Sequence, residues 1–439
     1  MPNPFLPLWE YVPDGEPRVF GDRVYIYGSH DVPAATDFCD YKLKVWSAPL
    51  NDLSLWQCHG HSFHTRDDRD HVADTAEWTD QRHFAPDVIE KDGKYYLFSY
   101  IFNSRGCVSV SDRPEGPFHL IGQYEFDPAD AGDDGIFNDP GVLLDDDGKA
   151  YIYYGFTRAF FNELNPDNFC EVLKGSLIKD LIPKGKNAAD YYEASSLRKV
   201  GDRYYYIYSP QIGSRLDYAI ADNPRGPFKH MGTIIDNANS YPGGNNHGSI
   251  CNINGQWYIF YHRMTNFTVM SRRACVERIE ILPDGTIPQV EMTSLGFDES
   301  LNPYACTPAE IACVLKGGCF ITEKDVLTRV ITGIRSGAVI GYKYFDFGDD
   351  YSTKSMILAM KITGCGCRTT VRICIDSEDG EELGFCDIDT HDGIYRAELK
   401  AVTGRHALFF EITHGYTGWF ANAFKDRNLF ELEAFTFLK

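Results

Sequence analysis

Five ionisable side chains stand six to nine residues ahead of five turn glycines: Asp14 before Gly21, Asp87 before Gly93, Asp139 before Gly148, Glu193 before Gly201 and His247 before Gly255. Carboxylates gathered in one place repel one another, so some hold a proton near neutral pH while others stay ionised. A protonated acid facing an ionised one is what hydrolysis of a glycosidic bond needs: the first protonates the leaving oxygen, the second activates water. Each residue also has a plainer reading by itself. Asp14-Gly15 and Asp139-Pro140 suit turns, Asp145 to Asp147 suit a solvated hairpin loop, and His247 suits a buried, hydrogen-bonded histidine. Recurrence at similar offsets in five successive repeats favours the chemical reading.

The elements that must position these groups are legible as repeats. GDRVYIYGS (21–29), DGKYYLFSY (92–100), DGKAYIYYG (147–155), GDRYYYIYS (201–209) and NGQWYIFYH (254–262) each place a turn before an aromatic, alternating run. Gly-Asp, Asp-Gly and Asn-Gly supply the positive φ of tight hairpins, and Tyr, Ile, Val and Phe suit a pleated sheet. The turn glycines recur about every 55 residues after a longer first interval, close to one four-stranded propeller blade with generous loops. A second phrase repeats as well: SDRPEGPFHL (111–120) and ADNPRGPFKH (221–230) read as loops into an outer strand. The expectation is an all-β chain, a five-bladed β-propeller over residues 1–297 followed by a β-sandwich over 298–439. The residues ahead of each hairpin then converge on the propeller axis.

Composition narrows the partners. The 439 residues carry 63 acids against 42 bases, a net charge of −21, and this field repels nucleic acid and anionic membrane. No run of 18 apolar residues offers a membrane span. The opening MPNPFLPLWEYVP lacks a leader-like basic and apolar segment, and the thirteen cysteines are an odd number, so reduced thiols in a cytoplasmic protein are expected. Cys365-Gly-Cys367 lacks the second pair a zinc site of that type requires.

On these motifs the chain resembles glycoside hydrolase family 43 from Pro4 to Phe297. The pieces are Asp14 with Gly21-Asp22 seven residues on, Ala85-Pro86-Asp87-Val88, Asn138-Asp139-Pro140 ahead of Asp145-Asp146-Asp147-Gly148, His247-Gly248-Ser249, and Tyr261-His262. The resemblance implies an inverting glycosidase with Asp14 as general base, Glu193 as general acid and Asp139 as the carboxylate that orients the acid and raises its pKa. It implies that Asp87 bonds the sugar or supports the base, and that His247 lies on the axis beside a calcium ion held largely through water. Arg273, with Arg272 next to it, is the expected substrate arginine. Trp78 and Phe84 are expected stacking platforms for a sugar face. Two positions depart from the family pattern, Gly15 replacing the usual proline and Ala194 the usual glycine. A retaining, five-bladed fructosidase fits less well, because its Asp-Pro signature belongs in the first repeat and here stands in the third.

Beyond Phe297 the hairpin period stops, and seven of the thirteen cysteines fall in alternating strand-like runs. AVIGYKYFDFG, RTTVRICIDSEDGEELGFCDI, VTGRHALFFEI and LFELEAFTF resemble a carbohydrate-binding module of family 6 type. That resemblance implies a structural calcium at Glu310 and Glu431, and sugar stacking on Tyr342, Tyr344 or Trp419. The expected activity is release of terminal pentose from arabinoxylan-type oligosaccharides, α-L-arabinofuranose before β-D-xylose, with no organic cofactor. The competing class is a glycan-binding protein without hydrolysis, which has no need of three carboxylates around one sugar.

Overall fold

The computed structural model describes residues 1–438 except 76, 77, 134, 183–188, 238, 239, 351 and 353. It is all-β, with seven antiparallel sheets, one short α-helix, Gly418–Phe424, and two single turns of 3-10 helix, Pro128–Asp130 and Ala309–Ile311, among the described residues. No helix there is long and apolar enough to cross a membrane.

The first five sheets follow one another along the chain, each a simple meander, four of them four-stranded and the fifth three-stranded. Their opening strands are Glu16–Phe20, His83–Lys91, Gly141–Leu144, Tyr191–Val200 and Ile250–Ile253. Each opening strand pairs with one of the five aromatic runs. All five turn glycines have positive φ, and Asp92 and Asn254 ahead of two of them do as well, as tight hairpins demand. Four of these turns are two residues long; the third, between Leu144 and Ala150, is a longer loop. The two Gly-Pro-Phe phrases join third to fourth strands, as the sequence predicts. Equivalent tyrosines dock on them: the Tyr27 hydroxyl donates to the Pro114 carbonyl and that of Tyr153 to the Pro224 carbonyl, at 2.6 and 2.8 Å.

Two arginines cross-link the opening strands. Arg18 binds both oxygens of Asp87 and the Val142 carbonyl. Arg198 reaches Glu16 and the carbonyls of Pro17 and Ile250. A parallel bridge between Gly15 and Gly248 joins the first sheet to the fifth. The N-terminal ends of the five opening strands are thereby gathered together.

The remaining strands form a six-stranded and a five-stranded sheet. Their apolar faces share one core, including Ile340, Leu358, Phe410 and Phe435, with Tyr205, Ile259 and Tyr261 of the fourth and fifth sheets. Buried polar ties reinforce that contact. Arg273 Nη1 lies 3.1 Å from Glu310 Oε2, and Tyr11 donates its hydroxyl to Glu323 while accepting from Arg329 Nε at 3.0 Å. Ten of the thirteen cysteines are buried and all are free thiols, acting as small apolar side chains.

Removing one partner of a buried ion pair strands the other charge, at a cost of about 3 kcal/mol. Glu310→Gln should therefore lower unfolding stability by that order in denaturant titrations, and pairing it with Arg273→Met should recover most of the loss. A neutral single substitution would show that the pair does not stabilise this contact.

Candidate active site

The gathered strand ends surround a cleft of about 320 Å³. Asp14, Asp139, Glu193, His247 and Arg272 line it, with aromatic walls from Phe38, Phe84, Tyr100, Phe102, Phe156 and Tyr192. Three backbone positions that aim the carboxylates are left-handed, Asp14 at φ 57°, Asp139 at 47° and Ala194 at 69°. The strand carrying Glu193 slips register on both sides of it, so a bulge turns that side chain out of the ladder. A non-glycine residue pays about 1–2 kcal/mol for the left-handed conformation that Ala194 adopts.

Asp14 is held from several sides. Its Oδ2 accepts from Ser29 Oγ at 2.7 Å and its Oδ1 from Arg272 Nη1 at 2.9 Å. His262 and His247 stand at 3.5 and 3.7 Å. Burial alone would raise its pKa; the Arg272 guanidinium, helped by both histidines and Ser29, overrides that and leaves Asp14 below the usual carboxylate range. Glu193 goes the other way. Burial, then the charge of Asp14, push it up to about 7 against the weaker pull of Arg272 and Asn245. Asp139 is raised well above the usual carboxylate range as well, by burial and then by Glu193 and Asp14, while the Ala194 N–H it accepts at 3.1 Å opposes the shift. Below about pH 7 the cleft thus holds an ionised Asp14 facing a protonated Glu193, the pairing that a general base and a general acid require.

Both histidines are neutral. Burial depresses His262 to about 3 and His247 to about 4. His262 donates from Nε2 to the Asn245 carbonyl at 3.0 Å, and its Nδ1 accepts the Asp14 N–H at 3.4 Å, which fixes the tautomer. His247 Nδ1 faces Asp14 and Asp139 Oδ2, the latter at 4.0 Å. A calcium ion beside His247 would find one nitrogen and carboxylates that already have partners. These residues would suit an ion held through water.

Several expected site residues lie elsewhere. Asp87 is fully buried, and its oxygens accept from Arg18, Val142 N–H and its neighbour Val88 N–H, which leaves it nothing to offer a sugar. Arg273 points away from the cleft to Glu310, because neighbours on a strand face opposite sides. Arg272 is the arginine of the cleft. Trp78 lines a different cleft, with Arg105 and Phe126, whereas Phe84 does line this one and stacks on Phe102. Glu310 is taken by Arg273, and Glu431 accepts the Thr332 hydroxyl at 3.0 Å. Tyr342 is fully buried against Phe435, and Arg405 covers the ring of Tyr344. Of the three proposed platforms, Trp419 alone is well exposed.

Sequence reasoning missed Asp31. Its carboxylate takes Arg272 Nε at 2.9 Å, Nη2 at 3.0 Å and the Arg272 N–H at 2.9 Å, leaving Nη1 for Asp14. Its signal is position: Ser29 ends the first aromatic run and Asp31 stands two residues beyond it. Tyr100, Phe102 and Phe156 close their own runs in the same way.

The model of "Glycosyl hydrolases family 43" matches residues 2–287. A xylosidase/arabinosidase of Thermoclostridium stercorarium is 37% identical over 93% of this chain and 95% of its own length. An arabinoxylan arabinofuranohydrolase of Paenibacillus polymyxa is 26% identical over the whole of this chain and 75% of its own. A solved family 43 arabinoxylan arabinofuranohydrolase from Bacillus subtilis, in complex with cellotetraose, aligns with 100% of this chain and 97% of its own, at TM-score 0.55 and 24% identity.

The raised pKa of Glu193 carries a stability consequence. The folded chain keeps this proton up to about pH 7 and the unfolded chain releases it near 4.5, so Glu193 progressively costs stability as pH rises between those values. Glu193→Gln removes that cost. Its gain in Tm over the parent should be larger at pH 8 than at pH 5; an equal gain at both would contradict the protonated acid.

Proposed function

The chain belongs to glycosyl hydrolases family 43 and is a glycoside hydrolase, and we propose that it releases terminal pentoses from arabinoxylan-type oligosaccharides with inversion at the anomeric carbon. The observation that carries this reading is the opposite bias of two carboxyls in one cleft, Asp14 held ionised and Glu193 held protonated. Asp14 takes a proton from water as the water oxygen bonds to the anomeric carbon. Glu193 delivers its proton to the glycosidic oxygen as the carbon–oxygen bond breaks. Solvent exchange then returns both groups to their starting states. Asp139 stays with Glu193 as a neighbouring acid whose charge, when present, would keep the Glu193 proton in place. Aromatic walls suit the apolar face of a sugar ring.

We place α-L-arabinofuranose ahead of β-D-xylose, because the arabinofuranohydrolase of Paenibacillus polymyxa covers the whole of this chain. A β-xylosidase is the second reading, supported by the xylosidase/arabinosidase relative. The five meander sheets, with opening strands cross-linked by Arg18 and Arg198, support a five-bladed propeller over residues 1–297. The two later sheets around one core support a β-sandwich over 298–439 of carbohydrate-binding-module type, with Trp419 among its exposed aromatics. Free thiols throughout support a reducing, cytoplasmic setting.

Nitrophenyl arabinofuranoside and xyloside, with product anomers followed by NMR, test the substrate and the stereochemistry together. The first-formed sugar should carry the inverted configuration; a retained configuration would overturn the mechanism. kcat/KM should decline above pH about 7 as Glu193 loses its proton. Glu193→Ala should nearly abolish turnover of poor leaving groups and spare activated ones, whereas Asp14→Asn should cripple both.

A further inference from the structure

A second group of ligand-capable side chains lies outside the cleft, where the strand Gln57–His64 runs into the segment 65–74. His61, His64 and Asp68 each bring one nitrogen or oxygen within 4.8 Å of the others, and His64 Nδ1 stands 3.6 Å from Asp68 Oδ2. The chain folds back behind them. The His71 ring stacks on that of His64 at 3.9 Å between centroids, and its Nε2 bonds Asp74 Oδ2 at 2.9 Å. That same Asp74 oxygen accepts the His64 N–H at 2.8 Å. Ordinary His–Asp pairing accounts for those contacts but not for all of the cluster. His64 is 1% exposed, its Nδ1 stands 3.6 Å from Asp68 Oδ2, beyond hydrogen-bond distance, and its Nε2 has no hydrogen-bond partner among the described residues, so either ring nitrogen is open to a ligand.

We propose that His61, His64 and Asp68 form a binding site for one divalent transition-metal ion of the zinc class, its remaining position filled by water. Two imidazole nitrogens and one carboxylate oxygen form a borderline donor set that zinc takes readily. Ligand atoms about 2.0–2.1 Å from a tetrahedral zinc lie roughly 3.3 Å apart, close to the His64–Asp68 separation already present. His71 and Asp74 buttress the His64 ring and backbone from behind, the outer support that fixes ligand orientation. Calcium, which wants six to eight oxygens, is a poor match.

The place of the site gives the ion a structural role. Thr65, next to His64, donates its N–H to the Tyr41 carbonyl at 2.9 Å and its hydroxyl to the Gln81 carbonyl at 2.5 Å. The guanidinium of Arg66 stacks on the Tyr41 ring at 3.8 Å. The segment that ends at Tyr41 carries Asp31 and Phe38, both against Arg272. An ion at His61, His64 and Asp68 therefore clamps the strand end that supports this wall of the cleft, without touching the reacting atoms.

The full chain, stripped with a chelator and dialysed, is titrated with zinc chloride by calorimetry at pH 7.5, with Tm followed in parallel. One equivalent should bind and raise Tm. His61→Ala and Asp68→Ala alter exposed side chains and should keep the metal-free Tm while weakening zinc at least tenfold. Cys58→Ser, which removes the exposed thiol on the same strand, should bind zinc as the parent does. Absence of a one-equivalent site in the parent, or parental affinity in both His61→Ala and Asp68→Ala, would overturn the proposal.

Discussion

The guanidinium of Arg272 is the only cationic side chain lining the cleft among the described residues, and its arms are unequally shared. Two of its nitrogens and its backbone N–H go to Asp31, and the third nitrogen goes to Asp14. Positive charge is thus spent on the base side of the cleft. Asp14 ionises at low pH, and its negative charge then works with burial to keep Glu193 protonated. One buried cation in a low-dielectric site therefore sorts two similar carboxyls into an ionised and a protonated one, as the proposed base and acid require. The bulge at Glu193, the left-handed backbone at Asp14 and the cross-linking arginines below all serve to hold that arrangement still.

A raised pKa does not identify a catalyst without geometry. Glu277 is also pushed up to about 7 by burial, yet it lies in the core with Arg263, Tyr261 and Thr293 and reaches no cleft. Glu193 differs in what it faces. The contrast between Arg272 and Arg273 is of the same kind: adjacent in sequence and both buried, one holds the base and the other ties the C-terminal sheets to the fifth sheet.

The sheets and the central carboxylates were legible because both recur. Turn glycines and aromatic runs repeat, and the position ahead of each is a strand end that converges with the others. Asp87 misled because the repeat reports where a side chain stands and not which partner it meets; Arg18, from another strand, saturates it. Arg273 was preferred to Arg272 because strand parity could not be counted without the register, which the Met264–Thr265 irregularity shifts. Asp31 stands just beyond the first aromatic run, but the partner that gives it a role, Arg272, lies more than two hundred positions away. Tyr342 and Tyr344 show the ambiguity of aromatics, which suit a core and a sugar face equally.

The sorting of the two acids can be read directly by carbon-13 NMR of protein labelled at the glutamate side-chain carboxyl. Burial pushes Glu277 up into the same range, so the Glu193 resonance is assigned by its loss in Glu193→Gln. That resonance should titrate near pH 7 in the parent and at distinctly lower pH in Asp14→Asn, where the opposing charge is gone. A Glu193 carboxyl that titrates near 4.5 in the parent, or that ignores Asp14→Asn, would contradict the account.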